Sequence, residues 1–146
     1  MTPPLPEAEL VLAACRGLTT IIENPLLEAA GELAELHRIR ECTPWSQTIE
    51  DQRARLRYQI DLWVEVSTPI PDPAARIHTQ TVGAVVDQLA QLTMEAFVAL
   101  AHAPSPVFYD AQMRLGELSK GYQDLIDDLA EGKRRVPSVA AVLKPP

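Results

Sequence analysis

Glycine, cysteine, aromatic residues and positive charge are all scarce in this chain of 146 residues, and each scarcity closes off a class of function. Six glycines, scattered singly, leave no Gly-rich loop to cradle a phosphate and no G-x-S-x-G nucleophile elbow. Two cysteines, Cys15 and Cys42, without a C-x-x-C, leave no zinc finger and no redox pair. Thirteen Lys and Arg against 20 Asp and Glu give a net charge of −7. That sign disfavours general nucleic-acid binding and adhesion to anionic lipid, both of which rest on clustered cations. Apolar runs are broken by charge short of the roughly 18 residues a membrane span needs. The stretch from Met1 to Leu10 is Pro-rich and acidic, without the basic region and apolar core of a signal peptide. The expectation is a cytoplasmic protein with no nucleic-acid or membrane partner.

What the chain does have is apolar residues at 47%, dominated by the helix formers Ala and Leu, and 13 prolines placed between the periodic segments. Apolar positions spaced by three and four predict a first helix over 7–22, weakened at Gly17. Asn24-Pro25 reads as a cap followed by an N1 proline and opens a second helix, running to about Arg40. Ser46 or Thr48 caps a third, whose stripe is Ile49, Leu56, Ile60 and Trp63. Asp72-Pro73 repeats the cap-plus-proline signal and opens the longest helix, to about Ala103, with Ile77, Val86, Leu89, Phe97 and Leu100 inward. Ser105-Pro106 opens a fifth, along which Phe108, Ala111, Leu115, Leu118, Tyr122, Leu125 and Leu129 form a heptad-like seam. No window alternates with period two, so no strand is predicted. The fold expected is all-α, an antiparallel bundle of about five helices with a long C-terminal hairpin, one domain over 1–146 with a tail from 132. Cys15 and Cys42 stagger by about 15 Å along such a pair of helices, too far for a disulfide, and are read as buried free thiols.

Bundles of this size can hold metal or nucleotide. The three histidines, His37, His78 and His102, are preceded three residues earlier by Ala34, Ala75 and Ala99, so the Glu-x-x-His element of a di-iron bundle is missing. Glu32 and Glu35 resemble the first half of the magnesium site of MazG-type nucleotide pyrophosphohydrolases. The second half is missing, since Glu50 is followed at the fourth position by Arg53 and Asp61 by Val64. No cofactor motif is present. The densest polar grouping lies where helix two ends and helix three begins. There His37 and Arg40 continue the apolar stripe, Glu41 stands one turn from His37, and Arg53, Arg57 and Asp61 follow on the next helix. A histidine oriented by a carboxylate and flanked by arginines suits a general base or an anion site. The same residues at i,i+3 and i,i+4, such as Glu50–Arg53, Asp51–Arg55 and Arg57–Asp61, suit a solvated face laced by ion pairs, and that plainer reading carries more weight. Trp63 fits the core stripe and Trp45 stands in a loop. The basic and apolar tail after Gly132 suits docking on a partner or a second protomer, and a frayed end is the plainer reading.

The segments Leu12–Gly17, Asn24-Pro-Leu-Leu, Glu32–Arg38, Glu50–Arg53 and Ile60–Val64 together resemble actinobacterial members of the DUF4254 family of bacterial proteins. The resemblance covers about the first half of the chain and implies a helical protein of unassigned activity, with no catalytic residues to carry over. It falls on His37, Arg53, Asp61 and Trp63, the neighbourhood already reached from spacing. The function expected is a non-enzymatic interaction or scaffold module, a homo-oligomer or one bound to a protein partner. The alternative is a small-molecule-binding or hydrolytic bundle using that corner or the Glu32 and Glu35 carboxylates.

Overall fold

The computed structural model describes residues 5–18, 23–102 and 104–138. Its helices are α1 (Ala8–Cys15), α2 (Pro25–Cys42), α3 (Gln47–Ser67), α4 (Val82–His102) and α5 (Ser105–Ala130). The sequence signals explain most of the starts. Asn24 accepts hydrogen bonds from the Leu26 and Leu27 amides at 2.9 and 3.3 Å, with Pro25 at the first helical position. Ser46 stands at the N-cap of α3 without a side-chain bond, and one turn in the Gln47 side-chain amide donates to Asp51 at 2.8 Å. Helix α5 starts one residue earlier than expected, with Pro104 at the cap and Pro106 inside the first turn.

Two elements differ from the sequence expectation for identifiable reasons. Helix α1 stops at Cys15, because Gly17 adopts φ +78 and two hydrogen bonds, from Gly17 N–H to Ala14 O and from Leu18 N–H to Ala13 O, close the helix end on itself. Gly17 is therefore the terminator, and Leu18 stands exposed; the rest of the expected first helix, including Ile21, lies outside the described residues. Helix α4 starts at Val82, nine residues beyond Pro73. Asp72 does cap a turn through the Ala74 amide, but Arg76–Ile77 (β1) then pairs in parallel with Arg134–Arg135 (β2), and that ladder competes with helix for the same backbone groups. This short pair was not foreseen, and it leaves Ile77 exposed. The working cap of α4 is Thr81, whose hydroxyl accepts from the Ala84 amide, helped by Asp61 from α3, which accepts from the Gly83 amide at 2.7 Å.

Helix α4 lies at the centre, packed on α1, α2, α3 and α5, with the α4–α5 hairpin as the most extensive pairing. By length and composition alone α4 would reach across a bilayer, with mean hydropathy 1.3. Its inner face is instead the core: Val82, Val86 and Leu89 are fully buried against Val11, Leu26, Leu33, Ile60 and Tyr122. Each such side chain contributes about 1.5–3 kcal/mol on removal from water. Phe97 and Leu100, expected inward, are 67% and 66% exposed, because α1 ends before it reaches their level. The Tyr122 hydroxyl donates to Pro6 O at 2.8 Å and Gln123 accepts from the Ala8 amide at 2.9 Å, tying the start of α1 to α5.

Helices α3 and α4 approach so closely that a Cβ on Gly83 would lie 2.3 Å from Arg57 O and 2.8 Å from Asp61 Oδ1. Alanine normally gains about 1 kcal/mol over glycine in a helix. Here Gly83→Ala is expected to lower stability by about 1–3 kcal/mol, since backbone must move, and a urea titration showing a gain would contradict this contact. The cysteines separate as well: Cys42 is exposed, against expectation, and Cys15 is buried, its thiol pushed by burial up to about 12 despite Arg16 nearby. A thiol reagent at neutral pH should titrate one group in the folded protein and both after denaturation.

Candidate functional site

The polar corner between α2 and α3 exists, but its centre is a residue on α4. Asp87 is the one charged side chain between Val82 and Met94, and its carboxylate is buried, with 5% of the side chain exposed. A lone buried carboxylate is costly unless hydrogen-bond donors and a cation meet it, and two helices supply them. His37 from α2 approaches Asp87 Oδ1 through Nε2 at 2.7 Å, and Arg53 from α3 donates to Asp87 Oδ2 at 2.7 Å and to Oδ1 at 3.4 Å. Arg57 stands 3.7 Å from Oδ2. On the far side of the ring, Arg40 donates to His37 Nδ1 at 3.1 Å. A guanidinium only donates, so Nδ1 presents its lone pair and Nε2 carries the hydrogen given to Asp87. Glu50 closes the ring of charges, taking Arg53 at 2.6 Å and Arg40 at 3.2 Å.

The expected partners of His37 and Asp61 are thus replaced. Glu41 is exposed and is not bonded to the imidazole; Asp87 orients it. Glu50–Arg53 pairs as expected, whereas Asp51 serves Gln47, Asp61 serves the α4 N-terminus, and Arg57 faces Asp87. His37, Arg40, Arg53 and Arg57 are brought together; Asp61 lies one turn further on, and Trp63 is half-buried against the core. Trp45 is 73% exposed. Burial raises Asp61, outweighing the bonds from Gly83 and Thr81. Burial also opposes charge on Asp87, but the hydrogen bonds from His37 and Arg53, with the Arg53 charge, outweigh it and hold the carboxyl below its usual value. Sequence reasoning passed over Asp87, although a single acid inside the most apolar helix is the signal that would have found it.

The carboxylates proposed for metal stand apart. Glu32 and Glu35 are both exposed, and Glu35 is held by Arg38 on the same helix. Asp124 pairs with Lys120 and Asp127 with Gln123, on α5. Among the described residues no three His, Cys, Asp or Glu side chains gather as metal ligands do.

Two concavities flank this corner. A small polar recess of about 190 Å³ is walled by His37, Arg40, Glu41, Gln91 and Met94. A larger, mainly apolar groove of about 540 Å³ opens where α1 stops. Its floor is α4 from Thr93 to Leu100, its walls are Gly31, Ala34 and Arg38 of α2 and Phe108, Gln112 and Leu115 of α5, and Ala14–Gly17 close one end.

Replacing Asp87 by Asn keeps the shape and removes the charge that buried His37 and half-buried Arg53 meet, while Arg53 keeps Glu50, so a loss of about 1–3 kcal/mol is expected. The pH dependence has a definite sign. A carboxyl whose folded value lies below the ordinary 3.8 contributes its stability in full above 3.8 and loses it as pH falls through the folded value. The gap between wild type and Asp87→Asn in urea midpoints should therefore be constant at neutral pH and shrink below about pH 3.8. A pH-independent gap would show that the charge of Asp87 is not what stabilises the corner.

No protein-family model, curated protein or solved structure matches this chain.

Proposed function

We propose that this chain is a non-enzymatic helical interaction module of a bacterial cytoplasm, one that assembles with copies of itself through its helix faces. The observation that carries this reading is the closure of the polar corner. Both ring nitrogens of His37 and both oxygens of Asp87 are engaged within the protein, and no buried side-chain nitrogen or oxygen among the described residues lacks a partner. A general base needs a free nitrogen facing a reacting proton, and this imidazole has none to offer. The corner acts as a clamp on three helices. Exposed apolar side chains gather elsewhere, at the α4–α5 end, which is where an association surface belongs. Kinship with the DUF4254 proteins is part of the same proposal, supported by the segments that run through α2 and α3.

A second reading, a small-molecule-binding bundle, is favoured by the polar recess beside His37. Its volume of about 190 Å³ falls below the roughly 300 Å³ at which ligand pockets usually start. Native mass spectrometry of the purified chain separates the two. An oligomer carrying no metal or small molecule is the expected result. A monomer overturns the assembly reading, and one that retains a stoichiometric metal or small ligand supports the alternative.

A further inference from the structure

The groove beyond α1 and the outer face of α5 have matching shapes, and each carries one charge of opposite sign that its neighbours do not offset. Helix α1 rests on α2, α4 and α5, and the groove continues that seat past Cys15, so its width is set by the same flanking helices and suits one further helix. The wall of the groove runs directly into a ridge. Phe108 in the wall and Tyr109 outside it have ring centroids 5.7 Å apart, Met113 follows Tyr109 one turn on, and Gly116 extends the line with open space beside it. Phe97, Leu100, Tyr109 and Met113 are 67%, 66%, 67% and 64% exposed. With aromatic side chains at about 150–250 Å² each, these four and half-buried Phe108 offer on the order of 500 Å² of apolar surface. A stable homodimer takes roughly 800 Å² per partner, about 65% of it apolar, which is the same quantity.

Charge points to the same occupant. At the groove lip Arg38 is already paired with Glu35, which leaves the exposed Arg16, and on the outer face of α5 Arg114 pairs with Asp110 at 3.3 Å, which leaves the exposed Glu117 beside Met113. Because one face holds both the groove and the ridge, a two-fold axis can satisfy both copies at once, as an isologous interface requires. Resting on the assembly reading above, we propose that the partner is a second copy of this chain. The Tyr109–Met113–Gly116 ridge of each protomer lies in the other's groove, end to end with α1, and Glu117 faces Arg16 at the lip.

Sedimentation equilibrium on the full chain tests this, with circular dichroism to confirm folding. Met113 is exposed, so Met113→Glu should fold normally and weaken the dimer at least about tenfold, the effect of placing an unpaired charge at an apolar contact. Arg16→Glu and Glu117→Arg should each weaken it about tenfold by juxtaposing like charges. An equimolar mixture of those two variants should form a heterodimer within about threefold of wild-type affinity, because each groove then meets a ridge of opposite sign. A dimer indifferent to Met113→Glu, or no recovery in the mixture, overturns this interface and leaves assembly through another face standing. A wild-type chain that stays monomeric overturns both.

Discussion

Everything near the middle of this bundle is arranged around a carboxylate that would be intolerable alone. Asp87 sits on the helix every other helix packs against, within a stretch otherwise free of charge. Its compensation requires α2 to bring the His37 N–H and α3 the Arg53 guanidinium to opposite oxygens, each at 2.7 Å. Apolar packing tolerates sliding, since one methyl serves nearly as well as another. A buried ion pair does not, and here three helices share one centre. The clamp therefore fixes the register of α2 and α3 along α4, a specifying role better attested for buried polar groups than net stabilisation.

The same constraint explains why the polar corner looked like a site from sequence. His37, Arg40, Arg53 and Arg57 are spaced to converge, and they do, on an aspartate whose own element reads as pure core. Clustering of charge on one stripe was legible; its purpose depended on which helix lay opposite, and a helix pattern contains no information about its neighbour. Caps show the same division. Asn24-Pro25 works as read because it acts within three residues. Asp72-Pro73 is equally strong locally and opens only a turn, since Arg76 and Ile77 find partners at Arg134 and Arg135, more than fifty residues away. Thr81 and Asp61 then cap α4 jointly, a cap split between two helices that no single window displays.

Gly17 shows how a small backbone feature sets the shape of a surface. An alanine-rich helix that continued past Cys15 would cover Phe97 and Leu100. A single left-handed residue stops it, and the trough between α2 and α5 is left half filled. The exposed apolar side chains of α4 follow from that early stop and not from any irregularity in α4 itself. The periodicity of α4 places Phe97 and Leu100 on its apolar stripe, yet they stand exposed, because no helix among the described residues covers them.

The bonds from Tyr122 to Pro6 and from Gln123 to Ala8 join segments more than a hundred residues apart. During synthesis α1 emerges before the other four helices, yet one wall of its seat is made by α5, the last of the five. Helices α2, α3 and α4 can meet around Asp87 while the chain is still growing, but α1 has no complete seat until α5 is present. The first of the five helices to be made is thus among the last to be fixed in place, and its docking reports that all five are present.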